Sequence, residues 1–214
     1  MKCDKKYMQL YAVTDRAWSK NKTLFEQAEE ALKGGVTCLQ LREKELSEEE
    51  FLKEAIEIKE LCRRYGVPFI INDNVDIALK CGADGIHTGQ SDMDCHKVRE
   101  LVGDNLIIGI SAQTVEQAIE AEKNGADYLG VGAVFSTSTK LDADSVSLSI
   151  LKEICESVSI PVVAIGGISE ENMLLLKGSK IDGVALVSAI FAAEDIEGEC
   201  RKLRKLSEEI TSEN

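Results

Sequence analysis

Short apolar runs alternate along this chain with longer, charged segments, and this alternation constrains the fold more than any other feature. The eight apolar runs are Tyr7–Val13, Thr37–Leu41, Phe69–Ile71, Gly85–His87, Leu106–Ile110, Tyr128–Val131, Val162–Ile165 and Gly183–Val187. Nearly continuous apolar strands separated by helices are typical of a parallel sheet buried on both faces. Eight strand–helix units within 214 residues predict an α/β protein, a (β/α)8 TIM barrel with a single domain over residues 1–214.

An open, doubly wound sheet is the structural alternative. The dinucleotide-binding version of that sheet places G-x-G-x-x-G after a strand, and no such motif follows any of the eight runs. Between the runs, residues 47–65 show the apolar spacing of an amphipathic helix, and Ser47 with Glu50 forms a capping box at its start. A further helix is expected to open at Ser169, and the polar tail, residues 207–214, is expected to fray.

Charge and cysteine content restrict the class of protein. The chain carries 25 Lys and Arg against 38 Asp and Glu, a net charge of −13, which disfavours a nucleic-acid partner but leaves room for small phosphorylated ligands in a locally basic pocket. The sequence offers neither a signal-peptide pattern nor the roughly 18 apolar residues of a membrane span, so we expect a cytoplasmic protein without a membrane partner. Seven scattered cysteines predict reduced thiols rather than a disulfide framework.

Polar side chains are concentrated where the predicted strands end, which is the catalytic face of such barrels. After the second strand, Gln40, Arg42 and Lys44 alternate along an extended segment, so their side chains are expected to share one side. An amide, a guanidinium and an ammonium at a strand end favour an anion site. The alternative is a surface ion pair with Glu43 or Glu45.

Two carboxylates close the third and fourth strands. Asp73 and Asp92 would repel an anion bound nearby unless a cation lay between them, and Mg²⁺ prefers carboxylate, water and phosphate oxygens. The alternative reading makes each aspartate a turn or helix cap, with Asp92 capping a helix that starts at Met93. His87, at the end of the fourth strand, is either a general acid–base or a hydrogen-bonded side chain that lines the barrel mouth.

A second anion site is predicted at the far side of the barrel mouth. Gly166 and Gly167 follow the seventh strand and free backbone amides, although a tight turn explains them nearly as well. The sixth strand runs into four hydroxyl residues and a lysine, and the eighth strand ends at Ser188. The first site therefore comprises Gln40, Arg42, Lys44 and Lys140 with a metal on Asp73 and Asp92, and the second comprises Thr137, Thr139, Gly167 and Ser188. Two phosphorylated substrates joined by loss of a phosphate leaving group would use both.

Eight motifs now identify a resemblance. In order they read YAVTDR, QLREK, INDNVDIA, DGIHTGQSD, GISAQT, VGAVFSTSTK, AIGGI and GVALVSAI. Their order resembles the motif series of the thiamine-phosphate synthase (thiamine phosphate pyrophosphorylase) family over residues 7–191. The family commonly has prolines where this chain has Ala133 and Ser136, which leaves the rigidity of that loop open but not the reaction.

The resemblance implies a reaction and a set of residues. A transferase of thiamine biosynthesis would condense 4-amino-2-methyl-5-(diphosphooxymethyl)pyrimidine with 4-methyl-5-(2-phosphooxyethyl)thiazole, giving thiamine phosphate and diphosphate by a dissociative, Mg²⁺-assisted displacement. By similarity, the pyrimidine substrate would contact Gln40, Leu41, Arg42, Glu43, Lys44, Asn72, Ser111 and Lys140. The thiazole phosphate would contact Thr137, Ser138, Thr139, Gly167, Val187 and Ser188. One Mg²⁺ would bind Asp73 and Asp92, and the catalytic residues would be Arg42, Lys140 and Ser111.

Two other functions fit parts of the pattern. A thiazole tautomerase shares the barrel and some motifs, but it does not keep the Asn-Asp metal motif or the Thr-x-Thr-Lys loop. A non-catalytic barrel that binds thiamine phosphates would keep phosphate contacts without needing two metal carboxylates and Lys140. A homo-oligomer is compatible with the sequence and is not specified by it.

Overall fold

Eight strands close into a barrel in the computed structural model, which describes residues 3–19, 21–90, 93–136 and 145–212. Every strand pairs in parallel with its sequence neighbours, and the last pairs with the first. The strands are β1 Leu10–Val13, β2 Cys38–Leu41, β3 Phe69–Asn72, β4 Gly85–Thr88, β5 Ile107–Ala112, β6 Tyr128–Val131, β7 Val162–Ile165 and β8 Gly183–Leu186. The predicted (β/α)8 barrel is confirmed.

Helices cover the outside of the barrel. They are α1 Leu24–Lys33, α2 Glu48–Tyr65, α3 Val75–Cys81, α4 Cys95–Val102, α5 Val115–Lys123, α6 Leu148–Ser157, α7 Ser188–Phe191 and α8 Ile196–Thr211. The capping box predicted for α2 is present, with Ser47 Oγ accepting from the Glu50 amide and Glu50 bonding back to the Ser47 amide. Among the described residues, no helix is both long and apolar enough to cross a membrane.

The strands are apolar on both faces because each face is buried in a different core. One face packs against the helices. The other fills the barrel interior with Met8, Tyr11, Val13, Cys38, Ile70, Ile107, Tyr128, Val163 and Ala185. Alternate residues near the carboxyl ends of the same strands therefore point into the barrel mouth.

One connection recurs at the opposite, amino-terminal end of the barrel. The residue just before each even-numbered strand uses its side-chain oxygen to accept a hydrogen bond from an amide of the preceding odd-numbered strand, at 2.8 Å in one case and 2.9 Å in three. The acceptors are Thr37, Asp84, Asp127 and Asp182, and the donors are the amides of Leu10, Phe69, Ile108 and Val162. These bonds tie the strands together in pairs away from the mouth.

Several sequence predictions differ from the structure. The first strand begins at Leu10 rather than Tyr7, because Lys5–Tyr7 forms a 3-10 turn capped by Asp4. No α-helix opens at Ser169; the segment contains only the 3-10 helix Met173–Leu176. The side chain of Asn172 explains this, since it accepts from the Ser169 amide and donates to the Gly167 carbonyl, closing a turn instead.

The C-terminal segment also differs from the prediction. It does not fray at Ser207, because α8 continues to Thr211 and buries Ser207 and Ile210 completely or almost so. Gln9 donates to Ser207 Oγ at 3.0 Å and to Thr211 Oγ1 at 2.8 Å. These bonds fix the end of the helix beneath the first strand.

Candidate active site

The ends of β1 and β2 hold Arg42 by its backbone and its side chain. Thr14 Oγ1 accepts from the Arg42 amide at 3.0 Å, and the Thr14 amide donates to the Gln40 carbonyl at 2.9 Å. Arg42 Nη1 pairs with Asp15 Oδ2 at 3.1 Å, and the Arg42 side chain remains 28% exposed. The guanidinium is thus oriented by a carboxylate while part of it faces solvent.

Lys44 and Asp73 form the next pair around the mouth. Lys44 Nζ lies 2.6 Å from Asp73 Oδ2, and Asn72 Nδ2 donates to the same oxygen at 2.5 Å. Asp73 has a positive φ of 62°, which is uncommon outside glycine, and its amide donates to the His87 carbonyl. These three residues border an open cleft of about 540 Å³.

Glu43, predicted to contact substrate, has its carboxylate engaged elsewhere. Its side chain is 2% exposed and pairs with Arg16, which also binds Glu54. Burial would raise the pKa of Glu43, but hydrogen bonds from the Lys44 and Glu45 amides and from Arg16 outweigh it and lower that pKa. Glu43 therefore anchors the loop, while the cations on either side of it in the sequence, Arg42 and Lys44, have other partners. The sequence alternative, in which Glu43 or Glu45 pairs with these cations, is wrong: Arg42 and Lys44 pair with Asp15 and Asp73.

A continuous chain of side-chain hydrogen bonds crosses the barrel interior. Gln40 Nε2 donates to the Tyr11 hydroxyl at 2.7 Å, and that hydroxyl lies 2.7 Å from the Tyr128 hydroxyl. The Tyr128 hydroxyl lies 2.9 Å from His87 Nδ1, and His87 Nε2 lies 3.0 Å from Ser111 Oγ. His87 is therefore a hydrogen-bonded residue of the barrel mouth. Ser111, expected after β5, lies within that strand.

The turn after β7 packs directly against the loop after β6. The Phe135 amide donates to the Gly166 carbonyl, and the Val134 amide donates to the Ile165 carbonyl, both at 3.0 Å. Gly167 has φ of 63°, and a Cβ there would collide with the carbonyl oxygens of Phe135 and Ser136. Glycine is thus required at this position by backbone conformation and by the neighbouring loop.

Val187 and Ser188 lie at the carboxyl end of β8. Ser188 is the first residue of α7, which has only four residues, and both Val187 and Ser188 are half-buried. The structure therefore places Gly167, Val187 and Ser188 at the ends of the neighbouring strands β7 and β8, as predicted.

Several predicted site residues lie outside the described residues. They are Asp92, Thr137, Ser138, Thr139 and Lys140. The helix expected to start at Met93 begins instead at Cys95, and its N-cap is Asp94. Of the remainder, the structure gathers Gln40, Arg42, Lys44, Asn72, Asp73 and Ser111 at the ends of β2, β3 and β5. The Leu41 side chain does not join them, because it is fully buried in the core that packs against the helices.

The sequence did not single out Tyr11, Tyr128, Thr14 or Asp15 as site residues. Thr14 and Asp15 are polar residues that follow the first predicted strand, but their role depends on the position that Arg42 takes in the fold. The tyrosines read as core residues, and they are: Tyr11 is 1% and Tyr128 0% exposed. The available signal was spacing. Tyr11 and Tyr128 lie two residues before Val13 and Gly130, so each tyrosine faces the same side of its strand as the later residue.

Comparison with known proteins decides the family. The family model described as "Thiamine monophosphate synthase" matches residues 10–190. The chain belongs to this family. It is 53% identical to thiamine-phosphate synthase of Clostridioides difficile (strain 630) over 198 residues, covering 92% of this chain and 94% of that protein. It is 52% identical over 197 residues to the same enzyme of Ruminiclostridium cellulolyticum, covering 92% and 94%.

A solved structure agrees with these relatives. Thiamine phosphate pyrophosphorylase from Pyrococcus furiosus superposes with a TM-score of 0.90 at 42% identity, covering 96% of this chain and 98% of that one. The family shown by these matches makes the protein a transferase of thiamine biosynthesis, and the predicted resemblance is confirmed.

Proposed function

We propose that this transferase joins 4-amino-2-methyl-5-(diphosphooxymethyl)pyrimidine to 4-methyl-5-(2-phosphooxyethyl)thiazole, releasing diphosphate and thiamine phosphate. The observation that carries the proposal is the arrangement of two separate groups of residues at one barrel mouth. One group has paired cations and carboxylates after β1, β2 and β3. The other has glycine residues after β7 and a hydroxyl residue, Ser188, after β8. One group suits a diphosphate, and the other suits a monophosphate.

Arg42, Lys44 and Lys140 would bind the diphosphate of the pyrimidine substrate. Arg42 and Lys44 approach it from the loop after β2, where they pair with Asp15 and Asp73. Gln40, Asn72 and Ser111 would surround the pyrimidine ring, Leu41 would contribute only its backbone because its side chain is buried against the helices, and Glu43 would serve the loop backbone. A guanidinium and an ammonium together supply a planar fork and a point charge for a multiply charged anion.

The thiazole phosphate would bind across the turn after β7. Gly167, Val187 and Ser188 supply backbone and hydroxyl groups there, and Thr137, Ser138 and Thr139 complete the site from the loop after β6. Support comes from the direct packing of that loop on Gly166 and Gly167. Backbone amides of a glycine turn bind phosphate without a nearby cation.

Mg²⁺ fits the chemistry of the residues at the end of β3. Asp73 offers a carboxylate that is about a quarter exposed, beside the ammonium of Lys44 and the amide of Asn72. Hard carboxylate oxygens suit this ion, and Asp73 and Asp92 would hold it. When bound, it would neutralise part of the charge that develops on the departing diphosphate.

The reaction we propose is dissociative. The bond between the pyrimidine methylene carbon and the diphosphate oxygen breaks, and both electrons leave with diphosphate. The lone pair of the thiazole nitrogen then forms the new carbon–nitrogen bond, so charges balance without a proton transfer. Arg42 and Lys140 act because their attraction to the leaving group grows as its negative charge grows.

The test is to incubate the purified chain with both substrates and Mg²⁺ and to quantify thiamine phosphate and diphosphate. We expect the two products in equal amounts. Absence of thiamine phosphate, together with interconversion of thiazole carboxylate phosphate tautomers, would favour the isomerase. Binding of thiamine phosphate with neither activity would favour the non-catalytic barrel.

The setting we propose is the cytoplasm, with two small phosphorylated molecules as partners and no nucleic acid or membrane. All seven cysteines are free thiols, which is the state that a reducing compartment maintains. The net charge of −13 opposes binding to a nucleic-acid backbone. A homo-oligomer is compatible with this function, and sedimentation of the purified protein would determine its state.

A further inference from the structure

We propose that Tyr11, Tyr128 and His87 are positioning residues: they form a hydrogen-bond chain with a single direction, which sets Gln40 as an acceptor and Ser111 as a donor toward the pyrimidine ring. This inference rests on the proposed function, because Gln40 and Ser111 are pyrimidine contacts only in that reaction. Tyr11 and Tyr128 are buried below the mouth and His87 lies at its edge, and none of the three is proposed to touch substrate.

The chain joins strands that do not pair with each other. Gln40 lies on β2 and Ser111 on β5, with β3 and β4 between them. Four hydrogen bonds of 2.7, 2.7, 2.9 and 3.0 Å connect these two residues through the barrel interior. All four distances lie in the normal range for hydrogen bonds between such groups.

The direction of the chain is inferred from its first donor and from the need of each buried hydroxyl proton for an acceptor. Gln40 Nε2 donates to the Tyr11 hydroxyl, and either tyrosine hydroxyl can donate to the other. When Tyr11 donates to Tyr128 and Tyr128 donates to His87 Nδ1, both hydroxyl protons have an acceptor, whereas in the reverse order the Tyr11 proton has no oxygen or nitrogen acceptor among these side chains. The first order assigns the His87 proton to Nε2, which donates to Ser111 Oγ.

The two ends of the chain then differ in character. With Nε2 committed to Tyr11, the amide of Gln40 is fixed and its Oε1 is an acceptor. Because Ser111 Oγ accepts from His87, its own proton is left to donate to another group. An aminopyrimidine ring carries an amino group that donates and ring nitrogens that accept. The chain thus prepares one acceptor and one donor for a ring of this chemical class.

The surroundings are shaped to hold the chain. A Cβ at Gly109 would collide with the Tyr128 ring, and one at Gly130 would press on the His87 ring at 3.1 Å. Both glycines therefore leave room for these rings. Burial also raises the pKa of the Tyr11 and Tyr128 hydroxyls well above the usual value, so both tyrosines keep the protons that the chain uses.

The first test needs no variant. His87 and His96 are the only two histidines of the chain, so a long-range proton–nitrogen correlation spectrum of ¹⁵N-histidine-labelled protein resolves both rings, with exposed His96 as the reference. We expect His87 to be neutral at pH 7.5 with its proton on Nε2. A proton on Nδ1, or on both nitrogens, would overturn the proposal, because the chain would then run the other way or be broken.

The second test separates positioning from packing. Tyr128→Phe removes one hydroxyl from the chain, and Tyr65→Phe is the matched control on the exposed end of α2. We expect Tyr128→Phe to lower kcat/KM for the pyrimidine substrate about tenfold, with the KM for the thiazole phosphate unchanged. Its His87 spectrum should also lose the single Nε2-protonated form.

Two results would overturn the positioning role. One is an equal loss for both substrates in a folded Tyr128→Phe protein, and the other is unchanged kinetics with an altered His87 spectrum. If instead the wild-type protein makes no thiamine phosphate, the proposed function fails, while the His87 spectrum still reports on the chain by itself.

Discussion

The cations expected to bind the diphosphate are each held by a carboxylate. Arg42 is paired with Asp15, and Lys44 with Asp73. Such partly exposed pairs contribute little to stability, roughly 0–1 kcal/mol each. Their role is orientation, since each carboxylate holds the charged end of a long side chain at the mouth and can be replaced by a diphosphate at small cost.

Arg42→Lys tests whether the guanidinium fork matters or only its charge. We expect kcat/KM for the pyrimidine substrate to fall by about 10–100-fold, because lysine cannot hold Asp15 and the diphosphate in the same geometry. Steady-state kinetics measure this, with Arg64→Lys on the exposed surface of α2 as the control. Equal activity of the two variants would mean that charge alone suffices.

The loop after β6 is expected to divide its work between the two substrates. Thr137→Ala should mainly raise the KM for the thiazole phosphate, because a hydroxyl contact to its phosphate is lost. Lys140→Ala should mainly lower kcat, because the departing diphosphate loses a cation. Kinetics with each substrate varied in turn measure both effects, and identical changes in the two variants would contradict the division.

Residue types in the sequence indicated the charged residues at the strand ends better than the buried side chains that act through other side chains. Arg42, Lys44 and Asp73 are charged residues at strand ends, so the sequence shows both their position and their chemistry. Tyr11 and Tyr128 are indistinguishable from ordinary core residues until the barrel closes and brings β1 beside β2 and β6 within reach. Side chains that act through another side chain depend on such long-range contacts, which a single sequence does not contain.

Among the elements, the connections before the even-numbered strands stabilise the amino-terminal end of the barrel. Asp127 illustrates them: it accepts from the Ile108 amide at 2.9 Å and from Arg99 at 2.5 Å. Arg99 also donates to the carbonyls of Gly103, Leu106 and Gly125. One carboxylate thus fixes an arginine that joins α4 to two neighbouring strands.

Asp127→Ala should lower the free energy of unfolding by about 2–3 kcal/mol, since a strand amide and a guanidinium lose a charged acceptor. Glu153→Ala, on the exposed side of α6, should change it by less than about 0.5 kcal/mol. Urea denaturation followed by circular dichroism measures both. Similar changes in the free energy of unfolding for the two variants would show that the hydrogen bonds of Asp127 do not stabilise the barrel.

The strands were easier to predict than the irregular segments. All eight were located from apolar runs, because burial on both faces leaves few polar residues within them. The segment after Gly167 was predicted wrongly because the side-chain bonds of Asn172 compete with helix formation. The last turns of α8 were misjudged from their polarity, although Leu203, Ser207 and Ile210 keep the spacing of a buried helix face.

Considering the whole molecule, we propose that the chain unfolds as a single domain. Four buried thiols are spread around the barrel: Cys38 on β2, Cys62 on α2, Cys95 on α4 and Cys200 on α8. Burial raises the pKa of Cys62 and Cys200 to about 12, so both are protonated and protected from alkylation in the folded protein. These thiols therefore report on opening of different parts of the barrel.

Alkylation across a urea series, read by peptide mass spectrometry, tests this. We expect the four thiols to become reactive at one common urea concentration, which should coincide with the loss of helical signal. Reaction of Cys38 and Cys62 at clearly lower urea than Cys95 and Cys200 would show that the barrel opens in parts.

The central claim is that the strand ends form a site where a carboxylate-held metal and fixed cations release diphosphate. Thiamine phosphate formation by Asp73→Ala, titrated with Mg²⁺ beside Glu153→Ala and the wild-type protein, tests it most directly. We predict that Asp73→Ala loses at least about 100-fold in kcat/KM and needs far more Mg²⁺, while Glu153→Ala matches the wild type. Wild-type activity and Mg²⁺ dependence in Asp73→Ala would contradict the account.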